Sequence, residues 1–265
     1  MRIATEGAEF DVVVAGSGPA LVLLHGFPLS KELWDAQAAA LEASARVIRF
    51  DLRGLGSTTV TAGPYLMEQL AGDVADILDA LDVERAVLAG HSLGGYVALA
   101  FFRMFAERCA GLGLVTSRFS ADTPEQAAGR IALADRAERE GMAPVVEAFL
   151  PRLFPPDFVR RDPGAVARVR EMIERTDPRG AAATLRGMAA RVPSDDLFEE
   201  MTLPVALIAG TQDAIISLDE TRAAARSLGD VTLEELECGH MPQCEAPEAL
   251  SAALRRLVGR SASRF

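Results

Sequence analysis

Gly90-His91-Ser92-Leu93-Gly94-Gly95 stands between a short apolar run, residues 86–89, and a longer one, residues 96–105. The first run has the length of a buried strand and the second that of a helix, so the hexapeptide reads as a sharp strand-to-helix turn. Small residues on both sides of Ser92 fit such a turn, because side chains there would collide with the chain as it doubles back. A serine at the apex presents its hydroxyl above the sheet edge. The helix beginning behind it favours negative charge developing at that point.

Working outward, the same alternation recurs on both sides. Residues 10–14 and 20–24 read as strands around the turn Gly16-Ser17-Gly18-Pro19, and residues 31–43 as an Ala-rich helix. Residues 47–50 form a further strand. Residues 67–81 form an amphipathic helix with Leu70, Val74, Ile77, Leu78 and Leu81 on one face. After residues 112–116 (strand) the rhythm stops, and it resumes at residues 205–209 (strand), 218–228 (helix), 231–236 (strand) and 247–258 (helix). Strands alternating with helices predict an α/β fold with a mostly parallel sheet covered on both faces.

The interruption, residues 118–196, reads as helical throughout, broken at Pro144, Pro151, Pro155-Pro156, Pro163 and Pro178. It holds 13 arginines and 13 acidic residues, so the rest of the chain carries the whole net charge of −11. The expected organisation is therefore a core of residues 1–117 and 197–265 with a helical insertion, 118–196, seated over the sheet.

Composition narrows the function. At 265 residues, with 49% hydrophobic and 25% charged residues, the chain has the make-up of a folded globular protein. A net charge of −11 repels phosphate backbones, which argues against a nucleic-acid partner. No apolar run approaches the ~20 residues of a membrane span, and residues 1–10 lack the pattern of a signal peptide, so a cytoplasmic location is expected. Cys109, Cys238 and Cys244 have no metal-ligand spacing and are expected to be reduced. With only three histidines, neither a metal site nor a cofactor is expected.

A serine attacks only when a base takes its proton, and the base must be oriented by an acid. His91 adjoins Ser92 on the turn, where its ring is expected to point away from the hydroxyl. His25, in His25-Gly26-Phe27-Pro28, reads as a residue that shapes backbone. His240 follows the last predicted strand and is left as the base. For the acid, Asp213 follows the strand at 205–209 on the sheet edge that carries Ser92 and His240. Its rival Asp219 lies inside the next helix, as an N-terminal acid would. Backbone N–H groups of Leu93, behind the nucleophile, and Phe27, in the glycine-proline loop, are placed to stabilise an oxyanion.

Taken in order, these pieces resemble the α/β-hydrolase superfamily over nearly the full chain. They are His25-Gly26-Phe27-Pro28 with Trp34 beyond, Asp51-Leu52-Arg53-Gly54-Leu55-Gly56-Ser57, the Ser92 turn, Gly210-Thr211-Gln212-Asp213, and Gly239-His240 before Glu245-Ala246-Pro247-Glu248. The resemblance implies a catalytic triad of Ser92, Asp213 and His240, an oxyanion hole from Phe27 and Leu93, a helical cap over 118–196, and Arg53 as a structural brace. Within the superfamily the chain looks most like the 3-oxoadipate enol-lactonase and small-esterase branch, on Arg130-Ile131, Gly141-Met142-Ala143 and Phe154-Pro155-Pro156. Leu55 departs from the pattern, which commonly has a polar residue there.

The expected function is hydrolysis of a small carboxylic ester or lactone through an acyl-enzyme on Ser92. The candidate substrate-binding residues are Arg118, Arg130, Met142 and Phe154, the last two in an apolar roof with Phe149 and Leu153. A carboxylated lactone would call on Arg118 or Arg130, although solvated cap arginines are the simpler reading. Three other functions share the fold: hydrolysis of a carbon–carbon bond, cofactor-free perhydrolase or haloperoxidase chemistry, and ligand binding without catalysis. The expected partner is a small molecule alone, and the chain could serve as monomer or homodimer.

Overall fold

The computed structural model describes residues 1–5 and 7–265. Among these, eight strands form one sheet: β1 (Arg2–Thr5), β2 (Ala8–Ala15), β3 (Ala20–Leu24), β4 (Arg46–Phe50), β5 (Ala86–His91), β6 (Cys109–Val115), β7 (Val205–Gly210) and β8 (Val231–Leu236). Their order is β1-β2-β4-β3-β5-β6-β7-β8. The pairings β1–β2 and β2–β4 are antiparallel and the other five are parallel, in a register that sets Val22 beside Leu88 and Leu88 beside Leu112.

Both faces are covered, as a parallel sheet requires. Alternate side chains go to opposite sides. Leu21, Leu23, Val87, Ala89, Ala206 and Ile208 pack with α1 (Asp35–Leu41) and the C-terminal helix Pro247–Arg260. Val22, Leu24, Leu88, Leu112 and Leu114 pack with α2 (Met67–Ala80) and α3 (Leu93–Met104), and α9 (Leu218–Ser227) completes that layer. The predicted stripe on α2 is buried. Asp73 of the same helix is buried as well, and its carboxylate receives Arg53 Nε at 2.9 Å. Arg53 thus braces α2 against the loop after β4.

Between β6 and β7 the chain forms α4 (Pro124–Glu140), α5 (Ala143–Leu153), α6 (Pro156–Arg161), α7 (Pro163–Arg175) and α8 (Pro178–Ala189). Four of these begin with proline, whose fixed φ and missing N–H suit the first helical position. Thr123 closes the α4 terminus with a reciprocal capping box to Gln126. The helices sit over loops that leave the strand ends: Tyr65 N–H donates to Ala183 O at 3.1 Å, and His240 N–H donates to Leu153 O at 3.0 Å. On α8, a Cβ at Gly180 or Gly187 would run into the carbonyls of Gly54 and Tyr65, so only glycine lets the helix lie this close.

Some boundaries differ from the sequence expectation. Strand β1 was not anticipated; it is short, with one buried side chain (Ile3), and so carries no alternation signal. Helix α3 starts at Leu93 rather than 96, because Gly94 and Gly95 are chosen for close approach and not for helix propensity. Pro151, expected as a break, lies within α5 near its end, where little of the hydrogen-bond ladder remains to be lost. The first turn of the predicted helix at 31–43 is 3-10, residues Lys31–Trp34, and α1 follows it.

Candidate active site

Ser92 sits at φ 51° and ψ −110°, a left-handed backbone held from both sides. Its N–H donates to Val115 O at 2.9 Å, and its carbonyl accepts from Ser117 Oγ at 2.8 Å. A Cβ at Gly90 would meet the Gly94 backbone, and one at Gly94 would meet the Leu24 carbonyl. The flanking glycines therefore let β5 turn into α3 within van der Waals distance of β3. Ser92 itself is half-buried.

The three histidines use two tautomers, each assigned from its hydrogen bonds: Nδ1–H for His25 and His240, and Nε2–H for His91. Leu52 N–H donates to His25 Nε2 at 2.9 Å, so the His25 proton is on Nδ1, which lies 2.9 Å from Gly26 O. His91 Nε2 lies 2.9 Å from the His240 carbonyl and must carry the proton there. Its Nδ1 is buried without a hydrogen-bond partner among the described residues. His240 Nδ1 lies 2.8 Å from Asp213 Oδ2; with the proton on Nδ1, the lone pair is left on Nε2. Burial pulls the His91 pKa well below 6.5, assisted by the neighbouring His240, and burial lowers His25 against the opposing pull of Asp51. Both rings are neutral.

Asp213 is held as firmly as the histidine it orients. Its Oδ1 accepts the N–H groups of Ile215 at 2.7 Å and Ile216 at 3.1 Å, leaving Oδ2 for His240. The loop around His240 is clamped in turn by Glu245, whose two oxygens accept Gly239 N–H at 2.8 Å and Met241 N–H at 3.1 Å. Burial raises the Glu245 pKa in spite of those two donors. Thr116 Oγ1 joins His91 on the His240 carbonyl, at 3.1 Å. Sequence reasoning placed Glu245 in a motif without a role, because its partners are backbone N–H groups that no residue type marks.

The two oxyanion candidates come from adjoining segments: a Cβ at Gly26, before Phe27, would meet the His91 ring, and one at Gly94, after Leu93, would meet the His25 carbonyl. Helix α3 closes on Ser92 O through the N–H groups of Gly95 and Tyr96, so Leu93 N–H belongs to the first turn, which has no intrahelical acceptor. Phe27 is buried, and its ring meets Phe149 of α5 edge-on at 5.3 Å. A cavity of about 240 Å³ opens beside it, lined among others by Tyr96, Phe149, Ile215 and Ile216 and by three cations, Arg118, Arg130 and Arg152. Ser92, Phe27 and Asp213 do not line it themselves, but three parts of its wall touch them: Tyr96 N–H donates to Ser92 O, Phe149 packs on Phe27, and Ile215 and Ile216 N–H donate to Asp213 Oδ1.

Arg118 and Arg130 are mostly buried and share one partner, Asp122, whose carboxylate is 2% exposed. That pairing sets aside the expectation of solvated arginines. Met142 and Phe154 are not brought to this cavity: Met142 caps α5 within the core, and Phe154 stacks on Phe158 at 5.1 Å. Of the expected roof, Phe149 faces the cavity, while Leu153 supplies the carbonyl that holds His240. All three cysteines are free thiols, and burial raises each of them, Cys109 and Cys238 to about 12.

A family model described as the alpha/beta hydrolase family matches residues 21–253. The chain belongs to this family. An enol-lactonase from Acinetobacter baylyi, 3-oxoadipate enol-lactonase 2, is 27% identical over 242 residues, covering 91% of this chain and 89% of its own. Among solved structures, a thermophilic esterase from Thermogutta terrifontis superposes with a TM-score of 0.96 at 36% identity, covering 99% of both chains. The enol-lactonase from Burkholderia xenovorans does so at 0.92 and 28%, covering 98% of this chain and 100% of its own. The hydrolase fold expected from the sequence is the observed one, and the chain is similar to enol-lactonases and esterases.

Proposed function

We propose that this hydrolase cleaves a small carboxylic ester or lactone through an acyl-enzyme on Ser92. The observation that carries the reading is the buried Asp213–His240 pair, 2.8 Å apart, whose tautomer leaves an imidazole lone pair for a serine held on a strained turn. His240 Nε2 takes the Ser92 proton as Oγ attacks the carbonyl carbon, and the Phe27 and Leu93 N–H groups receive the oxyanion. The imidazolium then protonates the leaving alkoxide, which departs as the alcohol or stays tethered in an opened lactone. Water, deprotonated by the same nitrogen, releases the acid and restores Ser92.

Residues 118–196 act as the cap, with α4, α5 and α8 forming part of the cavity wall. The cationic lining at Arg118 and Arg130 favours an acyl group that itself carries a carboxylate. The similarity to enol-lactonases and esterases supports the same substrate class.

A fluorophosphonate probe tests the mechanism: the wild type is expected to be labelled with loss of esterase activity, and Ser92→Ala is expected to be silent on both counts. An unlabelled but folded wild type would overturn the serine-hydrolase reading. A panel of p-nitrophenyl esters of increasing length, beside neutral and carboxylated lactones, then locates the substrate.

A further inference from the structure

We propose that Thr176, from the helical segment, and His25, from the core, are positioning residues that jointly aim the Phe27 N–H at the oxyanion. The proposal rests on the serine-hydrolase reading and adds to it a device that ties the reaction to the seating of the cap. Phe27 N–H belongs to the Gly26–Phe27 peptide, which is trans, so its direction is opposite to that of the Gly26 carbonyl. That carbonyl is fixed twice: His25 Nδ1–H donates to it at 2.9 Å, and so does Leu29 N–H at 2.9 Å. The peptide cannot rotate without breaking both bonds, so Phe27 N–H is held pointing away from them.

One residue further on, the Pro28 carbonyl faces Thr176 Oγ1 at 3.1 Å. Thr176 is the C-cap of α7, 3% exposed, and reaches across from the helical segment to this core loop. The Gly26 and Pro28 carbonyls that flank Phe27 therefore each face a side-chain donor, one from each part of the molecule, with the single Thr176 hydrogen shared between Pro28 O and Met172 O. His240 N–H donates to Leu153 O of α5, so the base loop is tied to the same segment. Lifting the helices would thus loosen the oxyanion loop and the base loop together.

The Thr176 hydroxyl also lies 3.1 Å from Met172 O, the carbonyl four residues back in α7. Removing the hydroxyl costs that contact too, and its loss would register as reduced stability. Misdirection of an oxyanion donor would register in the chemical step instead, because that donor binds the transition state more strongly than the substrate.

The test compares Thr176→Val, which keeps shape and loses the donor, with Thr176→Ser, which keeps the donor. Each enzyme is titrated with the fluorophosphonate so that rates refer to active sites. Thr176→Val is expected to lose about tenfold in kcat per titrated site with KM little changed. Its affinity for a trifluoromethyl ketone, which forms the tetrahedral adduct, should fall in parallel. The midpoint of its pH–rate profile should stay in place, since Asp213 and His240 are untouched, and Thr176→Ser should recover most of the rate. Wild-type kcat per titrated site in Thr176→Val would overturn the proposal, as would a loss confined to KM with ketone affinity intact. Failure of the wild type to be labelled at all would instead strike the underlying serine-hydrolase reading.

Discussion

Asp213 divides its carboxylate between two tasks: Oδ1 accepts Ile215 and Ile216 N–H, and Oδ2 accepts His240 Nδ1–H. Asparagine in its place would keep the first task through its carbonyl oxygen and present an NH₂ group to the histidine. The ring would then have to accept at Nδ1 and carry its proton on Nε2, where the base needs a lone pair. Asp213→Asn is therefore expected to fold normally and to lose about 10³–10⁴-fold in kcat on p-nitrophenyl acetate, with circular dichroism unchanged. A loss below tenfold would mean that another group orients the base. At this scale the sequence was informative because the chemistry restricts the choice: three histidines and a strand-end aspartate left few arrangements. What it could not show was Glu245 gripping both N–H groups around His240, since carboxylate-to-backbone contacts follow from loop geometry and leave no residue pattern.

The helices show a different balance of legible and hidden information. Apolar periodicity predicted α2, and β/α alternation predicted the sheet, because burying a face demands a regular spacing. The docking of α8 was not legible, since it depends on what glycine lacks. Gly180 and Gly187 let α8 touch the Gly54 and Tyr65 carbonyls, and in sequence they look only like weak helix formers. A methyl at Gly187 must push α8 away from the backbone of Tyr65, which has no flexible end to yield. Gly187→Ala is thus expected to lower stability by about 1–3 kcal/mol despite the better helix propensity of alanine. Urea unfolding measures this directly; a gain in stability would show that α8 can shift without cost.

Charge and burial oppose each other across the whole molecule as pH changes. The net charge of −11, confined outside the helical segment, gives a self-repulsion that relaxes only when carboxylates take up protons, mostly below pH 5. His25 and His91 act earlier. Both are buried and neutral, with pKa values lowered from 6.5 in the folded state, so the unfolded chain binds more protons once pH drops below that value. Stability from these groups is fully present above pH 6.5 and is lost as pH falls toward their folded values. Between pH 6.5 and 5.5 each can remove at most about 1.4 kcal/mol, the limit for one proton per pH unit, before carboxylate protonation can offset it. Urea midpoints taken across that interval should fall steadily toward the acid side, with no change in the slope of the transition. A midpoint that holds or rises would mean that His25 and His91 can be protonated within the fold, and the tautomers that arrange the oxyanion loop and the His240 carbonyl would have to be reassigned.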